Sequence, residues 1–198
     1  MIDLPIIHYP DEDTGFFLQL TTKEAKFFYS EFVKLIPERV SIFTEVIRET
    51  VAPDWSIDAN SEQTIQKLFE WLLQNIEKRK LTPEELYQEK SSVPSHIRDW
   101  LNDWKFTEQT YSNIVYAGIV WGEIFRSYTL CEWQRIDRSK IDANYNQPCL
   151  VNPNNKKVAF NPIRIVRVMC SKFMDEEPLY EKELVRLHNL WLSGFKKL

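Results

Sequence analysis

Glu123 and Arg126 stand three residues apart inside the run G-I-V-W-G-E-I-F-R, residues 118 to 126, where this sequence comes nearest to chemistry. A carboxylate among Ile, Val, Trp and Phe is costly to bury in its ionised form unless it is paired. A cation three residues on shares its helix face, which is the spacing of an intrahelical ion pair. General acid or base work would need a second polar partner brought in by the fold, and Arg135, Arg164 and Tyr145 are the candidates. The sequence therefore leaves two readings of Glu123: a structural salt bridge, or a ligand site or active site built with an arginine.

A second set is basic. Residues 135–172 carry Arg135, Arg138, Lys140, Lys156, Lys157, Arg164, Arg167 and Lys172 against only Asp137 and Asp142. Arg164 and Arg167 fall on one helix face, and Lys156 and Lys157 sit in the strand before it. Such a set could meet nucleic acid or an acidic protein surface. Two facts argue against nucleic acid: the chain as a whole is acidic, with net charge -4 and pI about 5.5, and no recognition motif accompanies the cations. Lysines on a strand edge also serve simply to discourage strand addition.

Other chemistries lack their residues. His8, His96 and His188 lie in separate segments with no second ligand at helical spacing, and no C-x-x-C occurs, so no metal site is expected. There is no G-x-G-x-x-G, no phosphate-cradling G-x-x-x-x-G-K-[ST] and no G-x-S-x-G, so no cofactor or serine nucleophile is expected. Cys131 or Cys170 could meet His188 in space, but buried structural thiols are the simpler expectation.

These residues need elements to hold them. A chain of 198 residues, 43% hydrophobic and 14% aromatic, can fill a sizeable core and is read as a single domain over 1–198. Charge is divided within it. Residues 1–133 hold 13 Lys and Arg against 22 Asp and Glu, whereas residues 134–198 hold 12 against 7. Three scattered cysteines suit a reduced, cytoplasmic protein. The N-terminal M-I-D-L-P-I-I-H-Y-P-D-E-D lacks the pattern of a signal peptide, and the apolar run 114–121 is far short of the ~20 residues a spanning helix needs.

An N-terminal helical part is expected over 21–104. Thr21 to Glu24 forms a capping box before a helix with Phe27, Phe28, Glu31 and Leu35 on one face. Pro37 interrupts, and a second helix carries Val40, Phe43, Val46, Ile47 and Val51. A third, capped by Asn60 or Ser61, has the stripe Ile65, Leu68, Phe69, Leu72 and Ile76. Thr82-Pro83 opens a short helix, and Ser95 another that runs through Trp104.

Over 107–198 the pattern becomes helix, sheet, helices. Thr107 caps a long central helix over about 108–128. C-E-W-Q-R-I, P-C-L-V-N-P and K-K-V-A-F-N-P read as three antiparallel strands, with a hairpin turn at Asn154-Asn155. Asn161-Pro162 then starts a helix with Ile165, Val168, Met169 and Lys172 or Phe173 on one face. A last helix presents Leu184, Leu187, His188 and Trp191. The fold class is α+β, mostly helical, with a small three-stranded sheet in the C-terminal half against a long central helix. Gly118 and Gly122, one turn apart, mark a close-packing seam whose expected partner is the Trp133 strand or the 65–76 helix.

The ordered features I-D-A-N-S-E-Q-T-I-Q-K-L-F-E-W-L, G-I-V-W-G-E-I-F, C-E-W-Q, P-C-L-V-N-P and F-N-P-I-R-I-V resemble a loose group of uncharacterised bacterial domains. In that group a G-x-x-x-G-E helix is followed by a Trp-bearing strand, a hairpin and a helix entered through Pro. The likeness covers about residues 55–172. Some members are linked to contact-dependent toxin–immunity loci and many have no assigned role. Together with the missing catalytic motifs, the ring-rich helices and the divided charge, the resemblance makes a non-enzymatic bacterial protein-binding protein, immunity-like or accessory, the leading expectation. It carries no catalytic residue across.

Overall fold

The computed structural model of the chain describes residues 4–10, 15–57 and 62–196. The helix caps expected at Asn60 and Ser61 lie outside the described residues, as do positions 1–3 and 11–13 of the N-terminal stretch. In chain order the elements are α1 (Phe16–Gln19), α2 (Thr22–Lys34), α3 (Ile36–Thr50), α4 (Glu62–Gln74), β1 (Lys78–Lys80) and α5 (Pro83–Ser92). A 3₁₀ turn (Ser95–Trp100) leads to β2 (Trp104–Phe106) and α6 (Glu108–Ser127). Then come β3 (Glu132–Arg135), β4 (Pro148–Asn152), β5 (Asn155–Phe160), α7 (Pro162–Met174) and α8 (Glu183–Lys196). The fold is α+β, with the antiparallel sheet β3-β4-β5 in the C-terminal half.

Helix starts follow the expected side-chain chemistry. Thr21 accepts from the Glu24 amide while Glu24 accepts from the Thr21 amide at 2.8 Å, and Thr82 and Glu85 repeat the arrangement. Thr107 caps α6 by accepting from the Thr110 amide, and Asn161 caps α7 with Pro162 at the first helical position.

α6 is the axis of the molecule. Every residue from Ser112 to Gly122 is buried, as befits a helix that is apolar all round. α3 and α4 pack against it, and α7 packs along it. Their core faces are Phe43, Val46 and Ile47 from α3 and the full expected stripe of Ile65, Leu68, Phe69 and Leu72 from α4, continued by Ile76. One continuous apolar cluster extends from Leu4 to Phe195.

Four expectations are corrected. The segment after Ser95 is only a 3₁₀ turn, because Trp104 belongs to strand β2, which pairs antiparallel with β1 (Arg79 opposite Lys105). That ribbon escapes a search for apolar alternation because Lys78, Arg79 and Lys80 are all exposed. The β4–β5 hairpin turns at Pro153-Asn154, one residue earlier than expected, since Asn152 pairs with Asn155. Pro153 has its φ preset for a turn, and the Asn152 side chain accepts from the Asn154 amide at 2.9 Å.

The other two concern helix faces. On α2 the buried residues are Ala25 and Phe32, and Phe27 is exposed, because the helix meets β3 through Phe32 rather than through Phe27. On α7 the buried residues are Pro162, Ile163, Val166, Met169 and Cys170, whereas Val168 is 48% exposed and Phe173 also faces outward. Of the expected face Met169 is buried and Ile165 packs against the core, so only its Val168 and Phe173 side is turned away from the interior.

Candidate functional site

Glu123 sits near the C-terminal end of α6, where β3 crosses it. Its Oε1 accepts from the Trp133 indole Nε1 at 2.7 Å, and Arg126 Nη1 donates to both carboxylate oxygens at 2.9 Å. The side chain is only 21% exposed. The geometry is that of a clamp on the indole: both partners of the carboxylate are hydrogen-bond donors only, and neither offers an acceptor for a proton.

Trp133 is fixed from other sides as well. Phe32 meets its ring edge-on with centroids 5.4 Å apart, and the Tyr29 hydroxyl donates to its carbonyl. Gly122 lies beneath it: a Cβ added there would be 2.7 Å from Trp133 Cζ2 and 3.1 Å from Pro162 Cγ. At Gly118 an added Cβ would be 2.6 Å from Ile163 Cα. The glycine seam thus has two partners. One is the Trp133 strand, as expected; the other is the start of α7 rather than the 65–76 helix.

Beside this clamp lies a cleft of about 550 Å³, lined by Val33, Ile36, Val40 and Ile57 together with Glu123 and Arg126. Of the candidate second partners for Glu123, Arg135 is directed elsewhere. It donates to Asn146 Oδ1 and to Asp137 Oδ2, each at 2.7 Å. Arg164 lines a different groove.

That second groove runs between α7 and α8 and encloses about 310 Å³. Ile165, Val168 and Met169 of α7 line it on one side and Leu187 of α8 on the other, together with Leu179 of the connecting loop. Arg164, Lys172 and Arg186 line it, and Glu183 is its one carboxylate. Arg186 holds Glu183 at 2.6 Å, which keeps that carboxyl below its usual range.

The basic residues are divided by the fold. Arg164 is in the α7–α8 groove, and Arg167 lies one turn further along α7. Lys156 and Lys157 are exposed on β5, an edge strand of the sheet, where the Lys156 carbonyl accepts from Arg138. The four do not line one groove.

The nucleophile candidates are inert in position. Cys131, Cys149 and Cys170 are all buried, and burial raises the thiol pKa of Cys131 and Cys170. His188 faces no thiol: its Nδ1 accepts from Trp121 Nε1 at 3.1 Å. Desolvation lowers the His188 pKa to about 4, with Glu62 opposing weakly. His8 lies on the surface, 3.5 Å from Glu108, and His96 is exposed. Among the described residues no group of three His, Cys, Asp or Glu is placed to hold a metal ion, and no helix is long and apolar enough to cross a membrane.

The groove is what sequence reasoning missed. Its signal was present in Ile165 and Val168 of α7, but apolar positions spread this widely on one helix cannot be assigned to inside and outside without a neighbour. Compared with protein-family models, curated proteins and solved structures, the chain finds no match.

Proposed function

We propose that this chain is a cytoplasmic bacterial protein-binding protein, immunity-like or accessory in role, and not an enzyme. The observation that carries the reading is the apolar side of α7 that is turned away from the interior. Val168 is 48% exposed in a helix whose opposite face is already buried on α6, and the loop residue Leu179 and Leu187 of α8 extend the same apolar surface. Apolar side chains that line an open groove with a charged margin suit a protein partner. Engagement of Glu123 by Trp133 and Arg126 supports the non-enzymatic part, since the carboxylate best placed for chemistry acts as a clamp.

Co-expression with the products of the adjacent genes, followed by size-exclusion chromatography with light scattering, tests this. A stoichiometric complex with one of them, lost in Val168→Glu, is the expected result. A chain that elutes alone beside every neighbouring product overturns the reading.

A second reading rests on the cleft beside Glu123, whose apolar walls and single ion pair suit a small apolar ligand with one polar end. A ligand-induced thermal shift that disappears in Glu123→Gln, with the unliganded melting temperature unchanged, would favour it.

A further inference from the structure

We infer that the α7–α8 groove receives an acidic amphipathic α-helix of the partner protein, an inference that rests on the protein-binding reading above. Shape is the first argument. α7 packs along α6 and α8 packs against α4, and a furrow between α7 and α8 stays open along Ile165, Val168 and Leu187. A third helix fits such a furrow by setting its own ridge of side chains into it.

Charge is the second argument, and it selects the occupant. Lining side chains carry three cations, Arg164, Lys172 and Arg186, against the one carboxylate of Glu183. Lys172 and Arg186 remain 52% and 47% exposed in spite of their contacts with Glu177 and Glu183. Glu177 faces solvent and Glu183 is buried, and each cation keeps an exposed side that an incoming carboxylate can share. Arg164 and Lys172 are eight residues apart on α7, which is about 12 Å along the helix axis. A partner helix with Glu or Asp about two turns apart, flanking an apolar stripe, places a carboxylate at each end of the groove.

The experiment uses the full chain and two synthetic amphipathic helices of about 18 residues, a length that spans the groove. Both share one Leu stripe, flanked by Glu in one and by Lys in the other. Binding is read by fluorescence anisotropy at low and high salt. The Glu-flanked peptide is expected to bind at least about tenfold more tightly than the Lys-flanked one and to weaken as salt rises. Val168→Glu should abolish binding, and Lys172→Glu should reduce the preference for the Glu-flanked peptide. Both positions are exposed, so melting curves should show folded variants.

Equal affinity for the two peptides overturns the inference, as does binding that survives Val168→Glu. So does a Val168-dependent attachment to phosphatidylglycerol vesicles in place of the peptide, which would assign the cations to a lipid surface. Val168-dependent self-association in light scattering would assign the groove to a second copy. If the peptides fail but a complex with a neighbouring gene product forms and persists in Val168→Glu, the protein-binding reading stands and the groove inference falls. If neither forms, both fall.

Discussion

The indole N–H of Trp133 donates to Glu123 Oε1 at 2.7 Å, and beneath the same ring Gly122 leaves no room for a Cβ. Two consecutive residues of α6 therefore act on one side chain, Gly122 by admitting the ring and Glu123 by holding its polar edge. The Arg126 guanidinium, 2.9 Å from both carboxylate oxygens, fixes the orientation of the acceptor.

Glu123→Gln should cost little. It keeps an oxygen acceptor for the indole and loses an ion pair whose Arg126 side chain is 40% exposed, so about 1 kcal/mol or less is expected from urea unfolding. Glu123→Leu leaves the indole N–H of a buried tryptophan without its acceptor and should cost about 2 kcal/mol. Equal losses in the two variants would show that the indole bond contributes nothing.

The two glycines should differ. A methyl group at Gly118 meets the backbone of Ile163, which cannot move without shifting α7, so Gly118→Ala should destabilise by about 3 kcal/mol. At Gly122 the obstacle is the pinned Trp133 ring. There Gly122→Ala, helped by the ~1 kcal/mol of helix propensity that Ala regains, should cost less. Gly122→Leu should be severely destabilising. Melting temperatures decide the order, and an unchanged value for Gly122→Leu refutes the seam.

Acid should weaken the fold through His188. The side chain is 2% exposed, and Nε2 has no hydrogen-bond partner among the described residues. Burial puts its pKa at about 4 in the folded protein, below the unfolded value of about 6.5. The unfolded chain therefore takes up the proton first. The full contribution is present above about pH 6.5 and is lost as pH falls towards 4, about 3 kcal/mol in all. His188→Gln, which can still accept from Trp121, should flatten the stability–pH profile over that window.

Asn161 joins sheet to helix. Its Oδ1 caps α7 by accepting from the Arg164 amide at 3.1 Å, and its Nδ2 donates to Gln147 Oε1 at 2.7 Å just ahead of β4. Asn161→Ala removes the cap and leaves a buried amide oxygen of Gln147 without this donor, for an expected loss of about 2 kcal/mol. Asn161→Asp should keep the cap and lose both bonds that the amide donates, to Gln147 Oε1 and to Asn144 Oδ1 at 3.2 Å. Indistinguishable chemical denaturation curves for Ala and Asp would refute the cap's contribution.

Much of this fold is written locally. Capping residues such as Thr21, Thr82, Thr107 and Asn161 act within three residues of themselves, so helix starts are legible without any neighbour. The stripe from Ile65 to Leu72 and the burial of α6 follow from composition and period, and so do the three strands that give the α+β class. The pair Glu123–Arg126 follows from its spacing alone.

Tertiary structure decided what depends on residues distant in sequence. Ten residues separate Glu123 from Trp133, and the hydrogen bond between them exists only because β3 returns across α6. Gly118 announces a close approach but cannot name Ile163 as the partner. Val166 and Val168 are equally apolar to a periodicity argument, and only the position of α6 turns Val166 inward and leaves Val168 in the open groove. Side-chain type and helical period set which faces are apolar; which of those faces finds a neighbour is settled by the packing of the whole chain.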